Sequence, residues 1–434
     1  MDTRKRIKLS EKPLMNIWQQ LVGKELLTED GEQFRIIYPG RANGDSGPDF
    51  RDVVLLKSGC NLIKGDVEIH VSSADWYSHG HHRDSGYNGV VLHAVARHDG
   101  RSVTTKQNGE LIPVLCLTHV WQQEVNSHLP CQGMGRGRDK RILQKLLDLA
   151  GEERFRQKAA SFLAELREEE AGQVFWKGVM RASGYSKNME PFEELAARLP
   201  VHFLEGTELR ESLLLKQVWL LGVAGLLPCQ RDGRQFRGEG EAKRWEEIWR
   251  MEGKDIRTMK EGDWQLSRIY PNNHPVRRII AQSYLLQRYR GNGLLEGMLR
   301  KVKEAALRSG FHGPEGGLVV FDDGYWQSHY DFERRTRKSA LLGQGKAAEI
   351  IINVVLPFAF AWGEMSGEAE LKTRAIGSYL CYPGLAGNTI TRHMTGQLGL
   401  EDSSEIGACS QQGLIHIFRN YCREGKCSQC LLAS

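Results

Sequence analysis

The sequence lacks any apolar run long enough to cross a bilayer. Its longest, Ile350 to Trp362, is broken by Asn353 and Pro357 and falls short of the ~20 residues a spanning helix needs. It also lacks a signal peptide's apolar segment, because Met1-Asp2-Thr3-Arg4-Lys5-Arg6-Ile7-Lys8 is basic with no hydrophobic stretch behind it. A cytoplasmic protein that does not engage a membrane is therefore expected. Charge of one sign is scarce too: 59 basic against 54 acidic residues leave +5, which permits an anionic partner without demanding one. No internal repeat and no low-complexity tract is present, which excludes a solenoid or a disordered array.

What is there describes a soluble globular protein of more than one core. With 434 residues, 40% apolar and 26% charged, two or three domains are expected. Nine cysteines, an odd number crowded toward the C-terminus, argue for metal ligation over disulfides in a reducing compartment.

The first part reads as α/β. Pro13 to Leu27 carries helical apolar spacing at Leu14, Ile17, Trp18, Leu21 and Val22. Strands are expected at Phe34 to Tyr38, Val53 to Leu56, Lys64 to Val71 and Gly89 to Val95, with weaker ones at Val103 to Thr105 and Leu111 to Leu117. After the Gly/Arg stretch Gly135 to Arg141, helical patterns dominate: Ile142 to Arg167, Leu209 to Leu227, Val276 to Tyr289, Leu294 to Ser309, Ala340 to Phe360 and Ala369 to Cys381. The expected organisation is an α/β domain over 1–135, a helical domain over 136–405 and a helix with a Cys-rich tail over 406–434. Runs such as Arg277-Arg278 with Arg288 and Arg290, or Arg334-Arg335 with Arg337-Lys338, read as solvated helix faces before phosphate contacts. Trp245, Trp249 and Trp264 read as core or interface aromatics and are assigned no site.

The chemistry concentrates on Gly65-Asp66-Val67-Glu68-Ile69-His70-Val71. Alternation puts Asp66, Glu68 and His70 on one strand face and Val67, Ile69 and Val71 on the other. Asp49 follows the stiff corner Gly47-Pro48 after the turn cluster from Asn43, and it adds a further oxygen ligand for a hard divalent cation such as Mg2+ or Mn2+. Between strands, Asp75, His79, His81 and Asp84 belong to a polar loop able to line a metal or phosphate pocket. His93, set among apolar neighbours, reads as a satisfied core histidine ahead of a ligand.

Near the chain end, Cys422-x4-Cys427-x2-Cys430 follows a helix expected from Gln411 to Tyr421. Such a knuckle suits zinc or an iron–sulfur cluster. Cys409 completes four by count. Along a continuous helix, however, it would lie roughly 20 Å from Cys422. Cys131, in Leu129-Pro130-Cys131, is the first candidate for the fourth ligand, with Cys409, Cys381 or His416 behind it.

Gly47-Pro48-Asp49 followed by Glu68-x-His70 resembles the PD-(D/E)xK nuclease superfamily, with histidine at the usual lysine position. That resemblance implies a restriction-endonuclease-like mixed sheet and a metal-dependent nuclease. Asp49 and Glu68, with the Ile69 carbonyl, would bind Mg2+ or Mn2+, His70 would serve the attacking water, and nucleic acid would be the partner. It further implies that a Zn2+ or 4Fe-4S site on Cys131, Cys422, Cys427 and Cys430 staples the chain end to the nuclease domain. Over nearly its full length, the chain is also similar to a bacterial domain-of-unknown-function family. This similarity rests on Asn43 with Gly47-Pro48-Asp49-Phe50, Gly65 to His70, Asp75-Trp76, His79-Gly80-His81, Tyr87-Asn88, Asn273-His274-Pro275, Asn353 to Pro357 and Gln411 to His416. The rival expectation is a non-catalytic scaffold that only grips nucleic acid or protein; a hydrolase of a smaller phosphate-containing substrate is a third.

Overall fold

The computed structural model describes residues 10–57, 61–100, 103–120, 129–136, 140–231, 241–253, 256–267, 269–305, 314–322, 324–332, 334–400 and 406–432. The basic start Met1 to Lys8, the middle of the Gly/Arg stretch and the end of the helix expected up to Ser309 lie outside the described residues. The chain divides into two compact units: residues 1–150 with 387–403 and 413–434, and residues 151–386 with 404–412.

The first unit opens with the helix Glu11–Gln20, whose Leu14 and Trp18 are buried. The sequence pattern carries this helix on to Leu27, and the structure corrects that. Gly23 takes a left-handed φ of 80° and its amide donates to the Ile36 carbonyl at 2.8 Å, so the chain leaves the helix for the sheet despite its continuing apolar spacing. The strands that follow are β1 (Glu25–Leu27), β2 (Gln33–Tyr38), β3 (Arg41–Ala42), β4 (Phe50–Lys57), β5 (Asn61–Ser72), β6 (Val90–Arg97), β7 (Val103–Thr105) and β8 (Leu111–Cys116). They form an eight-stranded sheet in the order β1-β2-β4-β5-β6-β8-β7, with β3 pairing off β4. Pairing is antiparallel from β1 to β5, parallel for β5 with β6 and β6 with β8, and antiparallel again for β7 with β8. An N-terminal mixed α/β sheet is thus present, and a mainly helical region follows it.

The sheet's two faces differ in chemistry. On one, Val67 and Ile69 of β5 join Phe50, Val53 and Leu55 of β4, Leu92, Ala94 and Ala96 of β6, and Leu14 and Trp18 of the helix in one apolar core. Truncating a side chain such as Trp18 to alanine there costs on the order of 3–5 kcal/mol. On the other, Glu68 and His70 are buried beneath the connection from β5 to β6, and the functional chemistry begins there. Where β4 meets β5 the register slips between Phe50 and Val53, and Asp52 in this bulge has φ 60°. Gly65 faces β6 so closely that a Cβ would sit 2.3 Å from Val91 Cγ1.

The second unit is built from helices, among them Ala171–Ser183, Leu213–Val223, Pro275–Arg288, Leu294–Glu304 and Ala369–Cys381, with a two-stranded pairing of His329–Asp331 and Arg334–Arg335. Trp245, Trp249 and Trp264 lie in its core. Arg277 and Arg278 depart from the solvated-face reading: both are buried, Arg277 donating to the carbonyls of Trp326 and Ser339, and Arg278 to the Leu341 carbonyl at 3.0 Å and the Tyr185 hydroxyl at 2.7 Å. They tie loops together rather than face a ligand. Two helical segments, Leu213–Gln230 and Gln344–Met365, are long and apolar enough to cross a membrane, and most of each is buried in the protein. The second extends beyond the run judged too short from sequence because a π turn, Ile351–Val355, carries the helix through Asn353 to Pro357.

Candidate functional site

The approach to the site is set by a turn. The Asn43 side chain donates to the carbonyls of Pro48 at 2.9 Å and Asp45 at 3.3 Å, and accepts from the Asp45 amide at 3.1 Å. Gly47, at φ 98°, lets the chain reverse into Pro48 and Asp49. The Asp49 amide then donates to Glu68 Oε2 at 3.0 Å, and the Ile69 amide donates to Asp49 Oδ2 at 3.0 Å. A carboxylate just before β4 and one on β5 are thereby cross-tied through backbone. Burial pushes the Asp49 carboxyl up to about 6, and burial together with the Asp49 charge pushes Glu68 up to about 8. Near neutral pH the pair therefore holds its proton on Glu68 beside an ionised Asp49.

Imidazoles complete the pocket. His70 Nε2 is 3.5 Å from Glu68 Oε1, and His81 Nε2 is 3.4 Å from the same oxygen. His70 Nε2 also meets His79 Nδ1 at 3.1 Å, and one ligand atom each from His70, His79 and His81 lies within 4.8 Å of the others. Behind them His93, fully buried, joins its Nε2 to His70 Nδ1 at 2.9 Å and its Nδ1 to Thr104 Oγ1 at 3.0 Å. Burial is the main cause holding three of the rings neutral, pushing His70 down to about 2, His93 to about 3 and His81 to about 4. Neutral imidazoles carry the free lone pair that a metal requires.

Other residues singled out from sequence shape the pocket's frame. Asp66 Oδ1 accepts from the Asp52 amide at 3.2 Å and so braces the β4 bulge. Asp75 Oδ2 accepts from the Ser72 amide at 2.9 Å, and Asp84 Oδ1 accepts from the Gly86 amide at 2.8 Å, each fixing a turn in the connection from β5 to β6. Three residues assigned no role from sequence belong here. Trp76, fully buried, packs against His81 and His93 and donates its indole N–H to the Thr105 carbonyl at 3.0 Å. Tyr87 stacks on His81 with ring centroids 3.8 Å apart. Thr104 ends the histidine chain. Trp76 and Tyr87 sit in motifs visible in the sequence, whereas Thr104 is marked only by the pairing of its short strand.

A second pocket in the same unit gathers thiols. Cys131, Cys422, Cys427 and Cys430 line it together with Ile37, Leu129, Pro130, Gln397 and Tyr421. Gln397 Nε2 donates to Cys131 Sγ at 3.1 Å. Burial, and then the neighbouring thiols, raise Cys422 far above the ordinary thiol range. The helix Ala408–Ile417 does not break at Gly413 but runs on through a π turn, Phe418–Cys422. Cys409, the alternative fourth ligand, is packed in the core of the second unit, and a Cβ on Gly151 would meet its carbonyl.

A fold that pairs a mixed sheet with a carboxylate and imidazole pocket now has a family. The chain belongs to the family described as "Protein of unknown function (DUF2851)", whose model matches residues 11–382. No curated protein and no solved structure matches the chain.

Proposed function

We propose that this protein is a metal-dependent phosphodiesterase acting on nucleic acid, with Asp49, Glu68 and His70 at its reaction centre. The observation that carries this reading is the cross-tie of Asp49 and Glu68, with His70 one strand repeat beyond Glu68 on the same face. A mixed sheet is what the resemblance to PD-(D/E)xK nucleases implies, and here Glu68 lies on β5 while Asp49 lies just before β4, its antiparallel neighbour. The donor set fits a divalent cation: an ionised Asp49, a Glu68 whose proton a cation would displace, and a buried His81 Nε2 that makes no hydrogen bond and lies 3.4 Å from Glu68 Oε1. A bound Mg2+ or Mn2+ would polarise the phosphodiester and lower the pKa of the attacking water. Asp49 and Glu68 would hold the cation, their carboxylates fixed by the Ile69 and Asp49 amides. His70, neutral and hydrogen-bonded on both ring nitrogens, orients the site and does not supply the permanent charge of a lysine.

The four thiols supply a Zn2+ or 4Fe-4S site that fastens residues 413–434 to the sheet-bearing unit, and the Gln397 N–H toward Cys131 suits a thiolate acceptor. The protein is read as cytoplasmic. A second reading, a non-catalytic scaffold for nucleic acid or protein, draws on the lack of a lysine beside Glu68.

The test is cleavage of labelled single- and double-stranded DNA and RNA by anaerobically purified protein with Mg2+ or Mn2+, beside Asp49→Ala and Glu68→Ala. Cleavage lost in both variants supports the hydrolase. No cleavage of any substrate, with no cation uptake by the wild type, leaves the scaffold.

A further inference from the structure

We infer that the pocket is an imidazole-rich site for a single borderline transition-metal ion, in the range Mn2+ to Zn2+. Glu68, His70, His79 and His81 hold it together with Asp49, and His93 with Thr104 acts as a positioning pair. The inference rests on the hydrolase reading and gives its cation an identity that two carboxylates alone would not. Spacing is the first argument. A metal with ligands at ~2.1 Å separates neighbouring ligand atoms by about 3.0–3.4 Å in octahedral or tetrahedral shells. Here His70 Nε2 and His79 Nδ1 are 3.1 Å apart, and Glu68 Oε1 lies 3.5 Å from His70 Nε2 and 3.4 Å from His81 Nε2. These three separations lie at or close to the edge lengths of one coordination shell, and the three imidazole ligand atoms lie within 4.8 Å of one another.

The second argument is the orphaned atom. His81 is buried between Trp76 and Tyr87, and its Nε2, sealed from solvent, makes no hydrogen bond and lies 3.4 Å from the shared Glu68 oxygen. Burying an imidazole nitrogen unpaired is costly unless something else satisfies it. The third is ligand type. Mg2+ takes oxygen ligands and keeps its water, whereas imidazoles select the later first-row ions.

The hydrogen-bond chain then follows from proton counting. For His70 Nε2 to offer its lone pair, the ring's proton must sit on Nδ1 and be donated to His93 Nε2. His93 in turn carries its proton on Nδ1 and donates to Thr104 Oγ1. Only this direction of the chain leaves both rings neutral and every nitrogen satisfied with metal bound. His93 thus acts through His70 and touches no ligand position itself.

The experiment uses the full-length protein, stripped of loosely held divalent ions with its thiol site left loaded, and Mn2+ as the probe. One Mn2+ is expected to bind, with spin-echo modulation from imidazole nitrogen, and Mg2+ in tenfold excess is expected not to displace it. His81→Ala should lose tenfold or more in Mn2+ affinity together with part of the nitrogen signal. His93→Ala should lose about 10–100-fold. His93→Gln, which keeps an acceptor for His70 Nδ1–H, should recover most of that, and Thr104→Val should weaken binding several-fold. If His93→Ala fails to fold, Thr104→Val and His93→Gln carry the comparison. Mn2+ bound without a nitrogen signal, ready displacement by Mg2+, or unchanged affinity in both His81→Ala and Thr104→Val would overturn the inference. Nucleic acid cleaved with Mg2+ but no nitrogen ligation would keep the hydrolase and remove this site. Nitrogen-ligated Mn2+ with no cleavage would do the reverse.

Discussion

The two ligand pockets of the first unit are made in opposite ways. The imidazole and carboxylate pocket draws on Asp49 to Thr104, on neighbouring strands and one connection, and its side chains are already tied to one another or to backbone. The thiol pocket joins Cys131 to residues 422–430, far apart in sequence, and its walls offer mainly apolar groups and Gln397. On the proposed reading the first is preformed and would exchange its ion without unfolding, while the second would depend on its occupant for its shape. Burial speaks the same way: it keeps imidazoles in their metal-binding form but keeps thiols protonated until a metal displaces the proton.

The sharpest way to break that contrast is to empty the thiol pocket. Cys422→Ser should abolish bound zinc or iron and sulfide and lower the melting temperature by roughly 10 °C or more, the scale of several kcal/mol in a unit of this size. Residues 413–434 should become open to protease. Cys409→Ser should leave the metal content intact, since Cys409 lies in the core of the second unit. Metal analysis beside calorimetric melting checks both, and an unchanged metal content in Cys422→Ser would refute the ligand assignment.

In the other pocket, Glu68→Gln should cut cleavage by at least about a hundredfold, the usual scale for losing a key electrostatic group. It should leave the thiol site loaded and the fold intact. Initial rates with Mn2+ beside metal content decide this, and a variant that also loses its zinc or iron would mean the two pockets are not independent.

The pH dependence of metal-free protein gives a smaller effect with a definite sign. Folded Glu68 holds its proton up to about pH 8, against an ordinary 4.5. Its contribution is thus fully present below about pH 4.5 and is lost as pH rises toward 8. His70, His81 and His93 run the other way: depressed to about 2, 4 and 3 from 6.5, they favour the folded state above pH 6.5 and lose that contribution as pH falls. Metal-free protein should therefore melt highest at mildly acid pH. Glu68→Gln should raise its melting point by a few °C at about pH 8.5, with little change near pH 5. Added Mn2+ should stabilise the wild type at the alkaline end and not the variant. Parallel melting curves of the two proteins across pH check this, and coincident curves at alkaline pH would contradict the burial assigned to Glu68.

Local patterns made much of this legible. The period-two alternation at Asp66 to Val71 placed one face in the core and one in the site, and the Gly47-Pro48 corner marked Asp49. Helix length along Gln411 to Tyr421 favoured Cys131 over Cys409 as partner of the tail cysteines, and the structure brings Cys131 to them. What was illegible depends on partners distant in the chain. The first helix stops at Gln20 because Gly23 turns onto β2, while its apolar spacing runs on. Arg277 and Arg278 look solvated by charge alone, yet carbonyls from loops many residues away accept their hydrogen bonds. Thr104 gains its place only because β7 pairs with β8 and brings the hydroxyl to His93.

Trp76 offers the finest division between frame and ligand. Its ring packs on His81 and His93, and its one polar atom serves the Thr105 carbonyl, next to the residue that ends the histidine chain. Trp76→Phe keeps most of the packing and removes that hydrogen bond. It should cost about 1 kcal/mol, read as a fall of ~2–4 °C in melting temperature. If the indole bond also holds Thr104 in place, Mn2+ affinity should drop with it by a few-fold, and Thr104→Val combined with Trp76→Phe should add little further loss because both act on one link. Additive losses in that double-mutant cycle would separate the two and confine Trp76 to packing.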